Sequence, residues 1–235
     1  MKPNKEKSRN TTKKSSNWNG TKIALVVVGV AFVVFMIVSS LGMSWMSSLK
    51  GAKPGDIATI SYTIFDDKNR PIVTTNLDLY NQTTKKGDKV FYSNTLKVPV
   101  GTNITTNVSR IPVLYQQYQT YFGLFSDEMN LISQGLVGVK QNEQKTISLV
   151  MPQDPLETTM TPDQFSKLIG PVNETFVNDQ IILALTANPQ INLDNTTPVD
   201  QYMRTFYVRN ISPDGVDMKY GYSTIEFQVI GLNTK

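Results

Sequence analysis

Residues 55–65 read Gly-Asp-Ile-Ala-Thr-Ile-Ser-Tyr-Thr-Ile-Phe. Ala58, Ile60, Tyr62 and Ile64 fall on one side of an extended chain, and Ile57, Thr59, Ser61 and Thr63 fall on the other. Period two over this length predicts a strand with one face buried. Asp66-Asp67-Lys68-Asn69-Arg70-Pro71 reads as a turn by composition, with both acids solvated. Ile72–Thr75 returns as a second strand.

Beyond the turn, residues 76–125 hold short β-prone runs at Lys89–Tyr92 and Thr95–Val100. An aromatic stretch, Tyr115 to Phe125, follows as core or sheet surface. Ser126-Asp127-Glu128 opens a helix with acids in its first turn. Met129, Ile132 and Leu136 continue at helical spacing, and Gly138 ends the element. Lys140–Asn142 is a turn in which Asn142 takes a left-handed conformation. Lys145–Met151 is a strand, and residues 152–162 are interrupted by three prolines. Pro162–Ile169 forms a short helix. Further strands are expected at Ile181–Leu185, Thr205–Ile211, Val216–Tyr220 and Thr224–Leu232, with Asp214-Gly215 as a hairpin turn. No long repeat and no parallel βαβ rhythm stands out. These elements give an α+β class dominated by an antiparallel sheet.

Working back towards the start, Ile23–Val38 (IALVVVGVAFVVFMIV) is wholly apolar apart from Gly29. A membrane span needs ~20 residues, so residues 23–43 read as a transmembrane helix, with Trp45 at the far interface. A cleaved signal peptide is the alternative, with Ser39, Ser40 and Gly42 as its small residues. Residues 1–22 form a basic tail of seven cations and one acid, placed on the cytoplasmic side by the positive-inside rule. The expected localisation is the cell membrane, single-pass, with the C-terminal part extracytoplasmic. Beyond the apolar run, six N-x-[ST] tripeptides, at Asn81, Asn103, Asn107, Asn173, Asn195 and Asn210, agree with a surface glycoprotein.

Composition removes whole reaction classes. The 235 residues contain no Cys and no His. Disulfides, thiolate nucleophiles, Cys/His zinc sites and imidazole chemistry are therefore excluded. The net charge of +4 belongs to the tail, and residues 23–235 are slightly acidic, so a nucleic-acid surface has no compositional support. There is no phosphate-binding or dinucleotide fingerprint, and neither cofactor nor metal is expected.

The order strand, acidic turn, strand, helix, Gly, tight turn, strand, proline-rich loop and apolar closing strand resembles FKBP-type peptidyl-prolyl cis-trans isomerases. Residues 55–62 resemble that family's G-D-x-V-x-V-x-Y opening, and residues 129–152 its helix–turn–strand block. Gly138 stands at the family's Gly, Val139 at its Met, Asn142 at its turn Gly and Glu143 at its Glu. Ile225–Leu232 resembles the closing L-x-F-x-V-x-x-L strand. The length between Pro155 and that strand is similar to the insert-in-the-flap region of the SlyD-like subgroup, which binds unfolded chains.

The resemblance implies an antiparallel sheet wrapped on a short helix, with an inserted β-rich subdomain, preceded by one transmembrane helix. Its domains would be a tail (1–22), a transmembrane helix (23–43), a linker (44–54), an FKBP-like domain (55–156 and 220–235) and an insert (157–219). Such an enzyme twists X-Pro imide bonds in an apolar pocket and needs no nucleophile or proton shuttle. The implied catalytic residues are Tyr62, whose hydroxyl would bond substrate, Phe227 as an aromatic wall, Ile132 as floor, and Met129 as a second wall with a backbone N–H. Substrate-binding positions fall on Val73, Thr74 and Leu156. There the family has a Phe-Asp pair and a Tyr, so the polarising carboxylate is missing. The implied function is a membrane-anchored foldase acting on unfolded or proline-containing polypeptides, touching membrane lipid through its anchor. A non-catalytic chaperone or binding module on the same scaffold, and a subunit of a surface complex, remain as alternatives.

Overall fold

The computed structural model describes residues 20–40, 50–151, 156–186 and 201–233. Trp45, Pro152, Pro155 and Asn195 lie outside these residues. Two compact units form, Met1–Ser47 and Ser48–Lys235.

In the first unit, helix α1 covers Gly20–Ser40. Among the described residues no helix is long and apolar enough to cross a membrane. The single-pass anchor expected over residues 23–43 is not supported, nor is the cell-membrane localisation or the lipid contact drawn from it.

Among its described residues the second unit is built on one sheet of twelve strands. Its strands are β1 (Ile57–Phe65), β2 (Pro71–Thr74), β3 (Phe91–Ser93), β4 (Leu96–Pro99), β5 (Val108–Tyr115), β6 (Tyr118–Phe125), β7 (Gln144–Ser148), β8 (Glu157–Met160), β9 (Gln180–Thr186), β10 (Gln201–Ser212), β11 (Gly215–Lys219) and β12 (Thr224–Asn233). Ten of them follow the order β7-β12-β1-β2-β3-β5-β6-β10-β11-β8, while β4 pairs with β1 and β9 with β10. Among the described residues three α-helices accompany the sheet: α2 (Leu77–Lys85), α3 (Ser126–Gly135) and α4 (Pro162–Leu168).

The expected architecture, a small antiparallel sheet wrapped on one helix with a separate insert, is overturned. The chain is mainly β, because both long connections add strands to the same sheet. Residues 76–125 contribute β3 to β6, and residues 157–219 contribute β8 to β11. The sheet is also mixed. β2 and β3 run parallel through Val73↔Phe91 and Thr74↔Tyr92, and β6 meets β10 in parallel at Met203↔Phe122. β2, α2 and β3 thus make a short parallel crossover that sequence rhythm did not reveal. Helix α2 buries only Thr83, so it has no apolar stripe to read. It is set instead by Asn76, whose side chain caps the N–H groups of Asp78 and Leu79.

Strand β1 is the axis of the core. Ala58, Ile60, Tyr62 and Ile64 are buried on one face, as period two requires. Its whole length pairs with β12, its first half also with β4 and its second half with β2. Ala52, in the segment read as linker, is buried and exchanges backbone hydrogen bonds with Gly138 and Val139. Residues of the 157–219 region form a second apolar cluster around Phe165, Phe206, Val208 and Met218. Gly138 (φ +80°) follows α3, and Asn142 (φ 66°) takes the left-handed turn. Asp66 is not solvated. It is 3% exposed, and its carboxylate accepts the Lys68 and Arg70 N–H groups and the Arg70 guanidinium. Asp67 is the exposed one, bridged to Lys219 at 2.7 Å.

Candidate functional site

Strand pairing brings Tyr62 and Phe227 directly opposite each other on β1 and β12. Met129 and Ile132 reach the same apolar cluster from α3. The four side chains share that cluster, in a closed core: Tyr62 is 3% exposed, Met129 4%, Ile132 0% and Phe227 1%. The Tyr62 hydroxyl donates to Ser93 Oγ at 2.8 Å, and Ser93 is itself buried. Desolvation raises the Tyr62 phenol above its ordinary range, only partly offset by that hydrogen bond.

Tyr62 and Phe227 border a shallow cleft of about 210 Å³ on the other side of the sheet, together with Ser61, Thr63, Gln144 and Glu226. Met129 and Ile132 do not line it. The remaining candidates are occupied elsewhere. Val73 is fully buried in the main core. Thr74 is fully buried, with its hydroxyl 2.8 Å from that of Thr63. Leu156 is buried at a positive φ of 51°, and its carbonyl accepts the Tyr220 N–H.

A different surface is open. The outer face of β3, β5 and β6 forms a trough of about 400 Å³. Its walls include Tyr92, Asn94, Pro112, Leu114, Gln119 and Tyr121, and no Asp, Glu, Lys or Arg lines it. Register sets this composition: Tyr92 pairs with Leu114, Pro112 with Tyr121, and Leu114 with Gln119. Their neighbours Ile111, Val113 and Phe122 point into the core instead. The Tyr80 ring packs on Tyr92 at 5.7 Å, and the Arg110 guanidinium lies 5.3 Å from the Tyr121 ring. The rings are thus held in place while their outer surfaces stay accessible. Tyr118 stands at the hairpin tip, 77% exposed.

This hairpin was hidden in the sequence. Gln116 and Gln117 both take positive φ, at 47° and 74°. That backbone belongs to a tight hairpin turn usually announced by Asn-Gly or Asp-Gly. The alternation of Pro112, Leu114, Gln119 and Tyr121 about it was the available signal. Among the described residues no group of three or more carboxylates is placed to hold a metal ion.

No protein-family model matches the chain, and no curated protein matches it. Nothing in these comparisons identifies an FKBP-type isomerase, so that resemblance rests on the sequence motifs alone.

Proposed function

We propose that this chain is a polypeptide-binding module without isomerase catalysis, taking extended, proline-containing segments of unfolded chains along the outer face of β3, β5 and β6. The carrying observation is the uncharged trough walled by Tyr92, Pro112, Leu114 and Tyr121, with Asn94 and Gln119 at hand for backbone groups. Extended left-handed proline helices dock on aromatic-lined surfaces with a few polar partners, and lose little conformational entropy in doing so. An isomerase would instead need the proline ring to enter between Tyr62 and Phe227. Burial of both rings in the apolar cluster, and the bond from the Tyr62 hydroxyl to Ser93, favour the binding reading.

The test is a titration of the protein with a blocked penta-proline peptide and a blocked penta-alanine control, followed by amide chemical shifts. Shifts centred on Tyr92, Leu114 and Tyr121, preferring the proline peptide and weakened about tenfold by Tyr121→Ala, support the reading. Equal response to both peptides, or indifference to Tyr121→Ala, refutes it. A proline-isomerisation rate above buffer that Tyr62→Phe abolishes would restore the catalytic reading.

A further inference from the structure

Strand β9 is an outer strand: among the described residues it pairs only with β10. In an antiparallel ladder alternate residues turn their N–H and C=O to the partner, and those between turn them away. The Val208 N–H donates to the Asp179 carbonyl, so Ile181, Leu183 and Leu185, of the same parity as Asp179, face β10. Gln180, Ile182, Ala184 and Thr186 therefore face outward. The Gln180 carbonyl agrees with this, because it accepts from the Lys89 ammonium at 2.6 Å. Among the described residues no hydrogen bond meets the outward groups of Ile182, Ala184 and Thr186. Ala184 and Thr186 are exposed.

This edge lacks the usual guards. Sheets protect an open edge with a charge, a proline or a very short strand. β7 carries Lys145, and β8 has four residues and carries Glu157. β9 runs for seven residues, Gln-Ile-Ile-Leu-Ala-Leu-Thr, with neither a charge nor a proline. On one of its faces Leu183 and Leu185 adjoin the apolar cluster around Phe165 and Val208, yet both are only half-buried. Unpaired backbone and half-covered leucines thus lie side by side.

We infer that β9 pairs antiparallel with β9 of a second copy of this chain, about a two-fold axis at Ala184. In that register Ala184 meets its own counterpart, Ile182 meets Thr186 and Leu183 meets Leu185. Every outward N–H and C=O of Ile182, Ala184 and Thr186 then finds a partner. The occupant is a second copy because the strand complements itself: each half-covered leucine gains a leucine opposite, and no charge stands on the axis. An axis at Ile182 would instead set Ala184 against Gln180, whose carbonyl Lys89 already takes. So short a pairing buries less than the ~1,200 Å² of stable complexes, and the association is weak and reversible. It uses no residue of the aromatic trough and does not depend on it.

The experiment follows sedimentation of the full chain from about 10 µM to about 1 mM, with amide hydrogen exchange as the local reading. The parent is expected to pass from monomer to dimer, with exchange at the Ile182 and Ala184 amides slowing as the dimer forms. Ala184→Lys and Ala184→Glu each place like charges on the axis, and each is expected to weaken association at least about tenfold. Mixing the two variants restores it, because opposite charges then meet. This restoration separates a lost interface from a lost fold. A parent that stays monomeric throughout overturns the proposal. So does association that both variants retain, or a mixture no stronger than either variant alone. Slowing at Ala184 by a blocked Thr-Val-Thr-Val-Thr peptide, in a protein that stays monomeric, assigns the edge to an extended client and overturns it as well.

Discussion

Arg204 and Glu128 form a fully buried, two-pronged ion pair, with Nη1 2.8 Å from Oε2 and Nη2 2.7 Å from Oε1. The five N–H donors of Arg204 are all used: two bonds go to Glu128, two to the Tyr220 carbonyl and one to the Gly123 carbonyl. Phe125 and Tyr222 cover its faces at 4.1 and 4.6 Å. Glu128 also accepts the Phe125 N–H, holding the first turn of α3. Burial alone would lower the Arg204 pKa, but Tyr222 and Glu128 beside it hold it above its ordinary value. One pair therefore ties α3, β6, β10 and the segment before β12 together.

Removing one partner leaves the other charge stranded. Glu128→Leu or Arg204→Met is expected to cost about 3–5 kcal/mol, and the double variant Glu128→Leu/Arg204→Met considerably less than the sum. Urea unfolding of the four proteins measures the coupling. Single variants losing under about 1 kcal/mol would show the pair to be dispensable.

The same pair makes residues 157–219 part of the whole. Excising them and joining the ends removes Arg204 and strands the Glu128 carboxylate in the core. The remainder is expected to lose near-ultraviolet circular dichroism and to expose apolar surface to dye. A shortened chain with the parent's tertiary signal would mean that the segment is an independent insert.

Gly123 lies under the Tyr202 ring, where a Cβ would collide with the ring carbons. Its carbonyl also serves Arg204. Gly123→Ala is expected to destabilise by about 1–3 kcal/mol through overpacking. Pairing it with Tyr202→Ala removes the clash, and denaturant midpoints for both proteins read the relief.

Tyr62 and Tyr222 both have phenol pKa values raised by desolvation. The folded state thus favours their neutral form. Their contribution is complete below the unfolded value of about 10 and is lost as pH rises above it. Absorbance titration at high pH should show these two phenols ionising only together with unfolding. Smooth ionisation of every phenol with the fold intact would contradict the burial.

Replacing Tyr62 by Phe deletes one hydrogen bond to Ser93 and should cost about 1 kcal/mol. Replacing Phe227 by Ala opens the core and should cost about 3–5 kcal/mol. Neither is expected to change binding of the proline peptide at the trough. Peptide titration at a temperature where both variants are folded separates their structural role from a binding role.

Much of the element pattern was legible in the sequence alone. Period two placed Ala58, Ile60, Tyr62 and Ile64 on the inner face of β1, and helical spacing placed Met129 and Ile132 on the core side of α3, because each pattern depends only on local backbone geometry. Gly138 and Asn142 followed from their tolerance of left-handed backbone. Three things were decided only by the tertiary structure. Long-range pairing chose which strands became neighbours, turning the residues on either side of α3 into one mixed sheet. Burial chose whether Tyr62 and Phe227 faced a pocket or each other in a filled core, and their hydrophobicity is the same in both cases. The matching of Arg204 with Glu128, 76 positions apart, carries no local signature at all. Coulomb attraction and shared desolvation act through space, and only the folded chain says which charges they join.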